Sequence, residues 1–158
     1  MTLESQLVRT RRNLQTLDPR FRPLAEAFIV RVEQRTGERV LVHQARRTWP
    51  EQAVLFAQGR TTPGKKVTNA EPGESYHNYG LAFDYCFLNS DGSPNWNVPW
   101  EMAAQLALPL GLDPGALWPH QDLPHIGLVV AHWSALKRVA PDGFLPAGWT
   151  PPPKIETA

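Results

Sequence analysis

Eight consecutive residues limit the possible folds of this chain more than any others. From Leu81 to Leu88, the residues Leu81, Phe83, Tyr85 and Phe87 alternate with Ala82, Asp84, Cys86 and Leu88. A period of two with apolar groups at both phases predicts a central strand covered on both faces. Asp84 breaks the pattern. It shares a face with Ala82 and Cys86, and a carboxylate among apolar groups is costly unless a cation or hydrogen-bond donors meet it. The fold must therefore supply Asp84 with a partner, either an arginine or a metal ion.

Two histidines stand close to sheet edges. His77 lies seven residues before Asp84. That odd offset would aim it at the opposite face of an unbroken strand, and Gly80 permits the bend or bulge that brings it round. Downstream, Asp122-Leu-Pro-His125 offers a second carboxylate and a second imidazole. Pro124 favours an extended Leu123 and disfavours a helix, and His125 to Val130 reads as a neighbouring strand. Singly, each has a plainer reading: His77 as a surface or core-edge histidine, Asp84 as a buried carboxylate paired with an arginine. Together, two imidazoles and a carboxylate suit zinc, which keeps a fourth position for water in enzymes. His77, Asp84 and His125 are the candidate ligands. Asp122, at the same edge, is the candidate base that takes a proton from water and passes it to a leaving amine. His43, His120 and His132 are rival ligands, with His120 the strongest because of its nearness to Asp122.

The remaining pattern surrounds this sheet with helices. Leu3, Leu7 and Leu14 predict an amphipathic helix over 3–15. A second begins at Asp18-Pro19, lines one side with Leu24, Phe28, Ile29 and Val32, and ends at Gly37. Arg39 to Ala45 reads as a strand, and Pro50 opens a helix that Gly59 closes. Residues 60–74 lack apolar period and form a loop. Asn89-Ser-Asp-Gly92 turns into a hairpin partner near Pro94–Asn97, and Pro99 starts a helix ending near Pro109. Gly111 to Gln121 is a loop, and His132 to Val139 the last helix. Residues 1–150 are read as a single domain, followed by a flexible Pro-rich tail at 151–158.

Composition removes several classes of function. The net charge is +1 with scattered basic residues, so nothing points to a nucleic-acid partner. Cys86 is the only cysteine, which excludes an intrachain disulfide and cysteine zinc ligation. Inside an apolar run it reads as a small buried hydrophobe. No apolar run is long enough to cross a bilayer, and no N-terminal stretch has the parts of a secretory signal. The expectation is a monomer made in the cytoplasm without a signal peptide.

Ser75-Tyr-His77 through Gly80-Leu-Ala-Phe-Asp84-Tyr, with Trp118 and Asp122-Leu-Pro-His125, resembles the VanY-like zinc D,D-carboxypeptidases and phage L-alanyl-D-glutamate endopeptidases. Upstream, Arg47-Thr48, Glu51-Gln52, Phe56-Ala-Gln-Gly59-Arg60-Thr61 and Pro63-Gly64 look like the segment preceding the first ligand in that group. The resemblance spans about residues 38–130. It implies zinc on His77, Asp84 and His125, and Asp122 as general base. It further implies that Arg47 binds a substrate carboxylate or the developing oxyanion and that Ser75 hydrogen-bonds near the site; of Trp49, Trp96, Trp100 and Trp118, which could line a groove, Trp118 is the candidate pocket wall. For Arg47 the plain alternative is a surface pair with Glu51, four residues on. Ala45-Arg46 and Ile126-Gly127 depart from the group, which often has Gly-Tyr at the first pair and an aromatic then Glu or Gln at the second. Gly127 shares a face with His125, so a partner orienting that imidazole is missing or replaced.

The fold so implied is α+β, a small mainly antiparallel sheet with helices packed on one side, similar to the hedgehog/D,D-peptidase fold. The implied activity is hydrolysis of an amide in the peptidoglycan stem peptide by a phage-type cell-wall lysin, released through a membrane lesion. An L-alanyl-D-glutamate endopeptidase is the first expectation. A D-Ala-D-Ala carboxypeptidase or dipeptidase, and a non-catalytic zinc-bearing binding domain, are the alternatives.

Overall fold

The structure, a computed structural model, describes residues 1–153. Among the described residues, five α-helices and five strands follow in the order α1 (Leu3–Gln15), α2 (Arg22–Thr36), β1 (Arg39–Gln44), α3 (Trp49–Ala57), β2 (Ala82–Leu88), β3 (Pro94–Asn95), α4 (Trp100–Ala107), β4 (Asp113–Pro114), β5 (His125–Gly127) and α5 (Trp133–Val139). The strands form one antiparallel sheet ordered β1-β2-β5-β4, with β3 pairing the far end of β2. This is the α+β arrangement expected, with β2 at its centre.

Alternation along β2 divides the interior as its sequence requires. Phe83, Tyr85 and Phe87 join Val40 and Val42 beneath α2 and α4. There Phe28 meets Tyr85 edge-on at 5.3 Å, and Phe21 stacks on Phe83 at 5.7 Å. Each fully buried side chain of this size contributes about 1.5–3 kcal/mol. On the opposite face Leu41, Cys86 and Leu88 are covered by Leu3 and Leu7 of α1. The expected helices on one side are α2 and α4, and α1 adds a cover to the other. Cys86 is fully buried, as its apolar neighbours imply.

Some boundaries differ from the sequence reading. Helix α2 starts at Arg22 without a side-chain cap, one turn later than Asp18-Pro19 suggests. Asp18 instead closes a separate turn, its carboxylate accepting from the Arg20 backbone and pairing with the Arg20 guanidinium at 3.0 Å. Strand β5 ends at Gly127, well short of Val130, and the expected 111–121 loop contains the two-residue strand β4. Asp122 to His125 is a turn closed by His125 N–H donating to the Asp122 carbonyl at 3.1 Å. Of the tail, residues 151–153 are exposed and irregular, and 154–158 lie outside the described residues.

Candidate metal centre

Three differently built segments converge at one end of β2. Antiparallel register sets Asp84 opposite Gln44 of β1 and opposite His125 of β5. His77 arrives from a short 3₁₀ turn, Tyr76–Tyr79, which Ser75 caps by accepting from His77 N–H at 3.3 Å. Gly80 ends that turn in the left-handed region, at φ +66°. A Cβ there would lie 2.6 Å from Arg46 Nη2 and 2.8 Å from the Asp18 nitrogen, so the position requires glycine on both counts. The reversal before β2, instead of a bulge within it, turns the imidazole toward Asp84.

Asp84 Oδ1 lies 3.4 Å from His77 Nε2 and 3.5 Å from His125 Nδ1. The three donor atoms all fall within 4.8 Å of one another. These separations are too long for good hydrogen bonds, yet they match a shared cation. A regular tetrahedron with arms of about 2.0–2.2 Å has edges of roughly 3.3–3.6 Å. His77 Nδ1 sits 2.8 Å from the Ala45 carbonyl, which can only accept, so that nitrogen carries the proton. In the neutral ring Nε2 then presents a lone pair toward Asp84 Oδ1, itself buried and without a hydrogen-bond partner. A cation between them relieves that opposition, so the residues present fit a divalent metal. Burial pushes the Asp84 carboxyl up, whereas positive charge on the imidazoles of His125 and His77 outweighs it and holds the carboxyl well below the usual carboxylate range, the same direction in which a bound cation acts. Among the described residues this is the one convergent group of three or more His, Cys, Asp or Glu side chains.

The cluster forms the floor of an open cleft of about 490 Å³, with Arg47, Ser75, Trp118 and Asp122 on its walls. Asp122 Oδ2 is 3.9 Å from His125 Nδ1, and its side chain is 53% exposed, so the carboxylate is open to the cleft. Gly115 passes directly beneath it. A Cβ at 115 would collide with the Asp122 backbone and approach the Cβ atoms of both Asp122 and His125. Trp118 lies tilted over the His125 ring with centroids 4.8 Å apart, and its Nε1 donates to Asp113 at 2.9 Å.

Arg47 is not engaged with Glu51, which instead completes a capping box with Thr48 at the start of α3. The guanidinium donates to Gln52 Oε1 at 2.9 Å, and its Nε is buried without a partner. Burial pushes its pKa down, while Asp84, Glu51 and Asp122 pull it back up. Gln52 is fully buried and also donates to the Ala70 carbonyl at 2.9 Å, joining Arg47 to the 60–74 loop. Sequence reasoning gave Gln52 and Gly115 no part in the site. The available signal was a carboxamide five residues after Arg47, spaced to reach back along the helix.

The rival histidines stand outside the cluster. His43 lies in the register shift of β1, edge-on to Trp96 at 5.4 Å. His132 caps α5, and His120 is exposed outside the cluster. Both departures from the group's pattern have visible consequences. A Cβ at Gly127 would sit 3.2 Å from His125 Nε2, so no side chain from that position orients the ring. Arg46 takes on a structural task, donating to the carbonyls of Thr16 (2.9 Å), Gly143 (2.5 Å) and Tyr79 (3.3 Å).

The chain is 36% identical over 104 residues to the peptidoglycan L-alanyl-D-glutamate endopeptidase CwlK of Bacillus subtilis (strain 168). The match takes in 59% of this chain and 62% of that protein, so the chain spans about three fifths of the relative's length. Two solved structures share the fold at 17% identity. The L-Ala D-Glu endopeptidase ChiX of Serratia marcescens has a TM-score of 0.51, over 77% of this chain and 86% of that one. A variant of the vancomycin-resistance D,D-pentapeptidase VanY, solved in complex with Zn(II), has a TM-score of 0.52, over 82% and 80%. No family model matches the chain. The relatives bear out the resemblance read from the sequence, and the solved structures bear out the α+β fold.

Proposed function

We propose that this chain is a zinc metallopeptidase that hydrolyses the L-alanyl-D-glutamate amide of a peptidoglycan stem peptide. The supporting observation is the buried, unpartnered Asp84 oxygen, held 3.4 and 3.5 Å from two imidazole nitrogens on the floor of an open cleft. Kinship with CwlK favours the endopeptidase over the carboxypeptidase reading.

In this reading His77, Asp84 and His125 hold the ion. When bound, zinc supplies a Lewis acid that polarises the scissile carbonyl and acidifies water. His77 is kept in its Nδ1–H tautomer by the Ala45 carbonyl, which leaves the Nε2 lone pair as the ligand. Asp122 serves as the base, accepting a proton at its carboxylate and delivering it to the leaving amine. Arg47, steadied by Gln52, faces the cleft with a planar fork suited to a carboxylate, and the D-glutamyl residue carries one beside the scissile amide. Ser75 holds the turn that aims His77, and Trp118 backs His125 as one wall.

Residues 1–150 are read as one peptidase domain. The site of action is the cell wall, which a phage-type lysin reaches as a monomer after another protein has opened the membrane. No described helix is long and apolar enough to span a bilayer. The test is incubation of the purified protein with defined muropeptides, with and without a chelator, and identification of the products by mass. The expected products are a free L-alanyl terminus on the sugar side and a peptide beginning with D-glutamate. Unchanged activity after complete metal removal would overturn the proposal.

A further inference from the structure

Trp118 is a wall of two cavities, and only one of them holds the metal cluster. On its other side lies a second hollow of about 500 Å³, lined by Trp100, Glu101, Leu117, Trp118, Gln121 and Leu123. Its two indoles are held from behind. Trp100 packs edge-on against Tyr85 at 5.5 Å, and Trp118 is fixed by Asp113 and by the His125 ring. Between the indoles stand polar groups with capacity to spare. Glu101 is exposed in the first turn of α4, and Gln121 donates to the Ala116 carbonyl at 2.8 Å while its own oxygen accepts from no group among the described residues.

Sheet order gives this hollow a direction. Arg47 follows β1 and Trp118 follows β4, with the Asp84 strand between them in the order β1-β2-β5-β4. A substrate crossing the metal cluster therefore meets a guanidinium on one side and the double-tryptophan hollow on the other. On the peptidase reading, the D-glutamyl carboxylate belongs with Arg47, so the alanyl side of the amide points toward Trp118. In peptidoglycan a single L-alanine separates that amide from the lactyl ether of an N-acetylated amino sugar. Indole faces pack against the C–H faces of a pyranose, while carboxylate and carboxamide groups meet its hydroxyl and acetamido groups.

We propose that the hollow between Trp100 and Trp118 is a subsite for the N-acetylmuramyl sugar that carries the stem peptide. The enzyme then discriminates between wall-attached peptide and free peptide of the same sequence. This rests on the peptidase reading, and one experiment separates the two.

The wild-type protein is given the stem peptide with and without its N-acetylmuramyl group, and kcat/KM is measured for each. The sugar-bearing substrate is expected to be cleaved about tenfold more efficiently. Glu101→Ala and Gln121→Ala, both at exposed positions, should each lower that preference by about two- to threefold. Trp100→Phe, which keeps an aromatic ring against Tyr85, should lower it further. Equal efficiency on the two substrates overturns the subsite and leaves the peptidase standing. So does an unchanged preference in all three variants. Cleavage of neither substrate by the metal-loaded wild type overturns both.

Discussion

Withdrawal of zinc should lower the melting temperature by an amount that the binding site itself sets. His77, Asp84 and His125 come from three segments: a 3₁₀ turn, the central strand and the short strand paired with it. Without a cation, Asp84 Oδ1 is a buried acceptor with no partner, a situation that costs about 1–3 kcal/mol and more for a charged group. A ligand that binds only the folded state adds about 4.1 kcal/mol when present at 1,000 times its dissociation constant. For a chain of this length each kcal/mol moves the melting temperature by about 2–4 °C, giving a shift of roughly 8–16 °C. The assay is thermal melting of chelator-stripped protein across a zinc titration. His77→Ala should abolish the shift, and Asp122→Ala should retain it, because Asp122 stands on the wall and not among the converging donors. Absence of any shift in the wild type, or an equal shift in His77→Ala, would refute the assignment.

Three further outcomes follow from the same geometry. Asp122→Ala should lower kcat by about 10²- to 10⁴-fold with zinc content unchanged by metal analysis, and full activity would remove Asp122 from the role of base. Gln52→Ala takes away the Arg47 anchor and the tie to Ala70 together. It should cost about 1–3 kcal/mol in a denaturant titration and raise KM more than it lowers kcat. Gly115→Ala should destabilise by about 1–3 kcal/mol through overpacking and reduce turnover, because the new methyl group displaces the Asp122 backbone; a neutral effect on both would show that the close approach is readily relieved.

How much of this was legible in the sequence depended on the length of each periodic signal. Strand β2 declared itself through eight alternating residues, and its Asp84 stood out by interrupting them. Helices α1, α3 and α4 were marked by apolar spacing or by punctuating proline and glycine. Strand β4 has two residues, one of them Pro114, too few to carry a period. The start of α2 was misplaced because Asp18-Pro19 is good capping chemistry spent on a different turn. His77, Asp84, His125 and Asp122 could be singled out because co-occurring imidazoles and carboxylates carry their chemistry in their identity. Gln52 left only the weak signal of its spacing from Arg47, and its tie to Ala70, like the approach of Gly115 to Asp122 and His125, exists only once the chain has folded. Ser75 has a visible backbone-capping role that links it to His77.

Arg46 appeared in the sequence only as a residue out of keeping with its relatives. Its single guanidinium reaches the exit of the first helix, the imidazole-bearing turn and the loop after α5, and it lies over the Phe144 ring at 4.0 Å. The exit of α1 and the loop after α5 are thus tied together through Arg46, beside the turn that carries His77. Cutting an engineered version back past Thr16 or Gly143 would loosen the socket from the rear, although neither residue is among the converging donors.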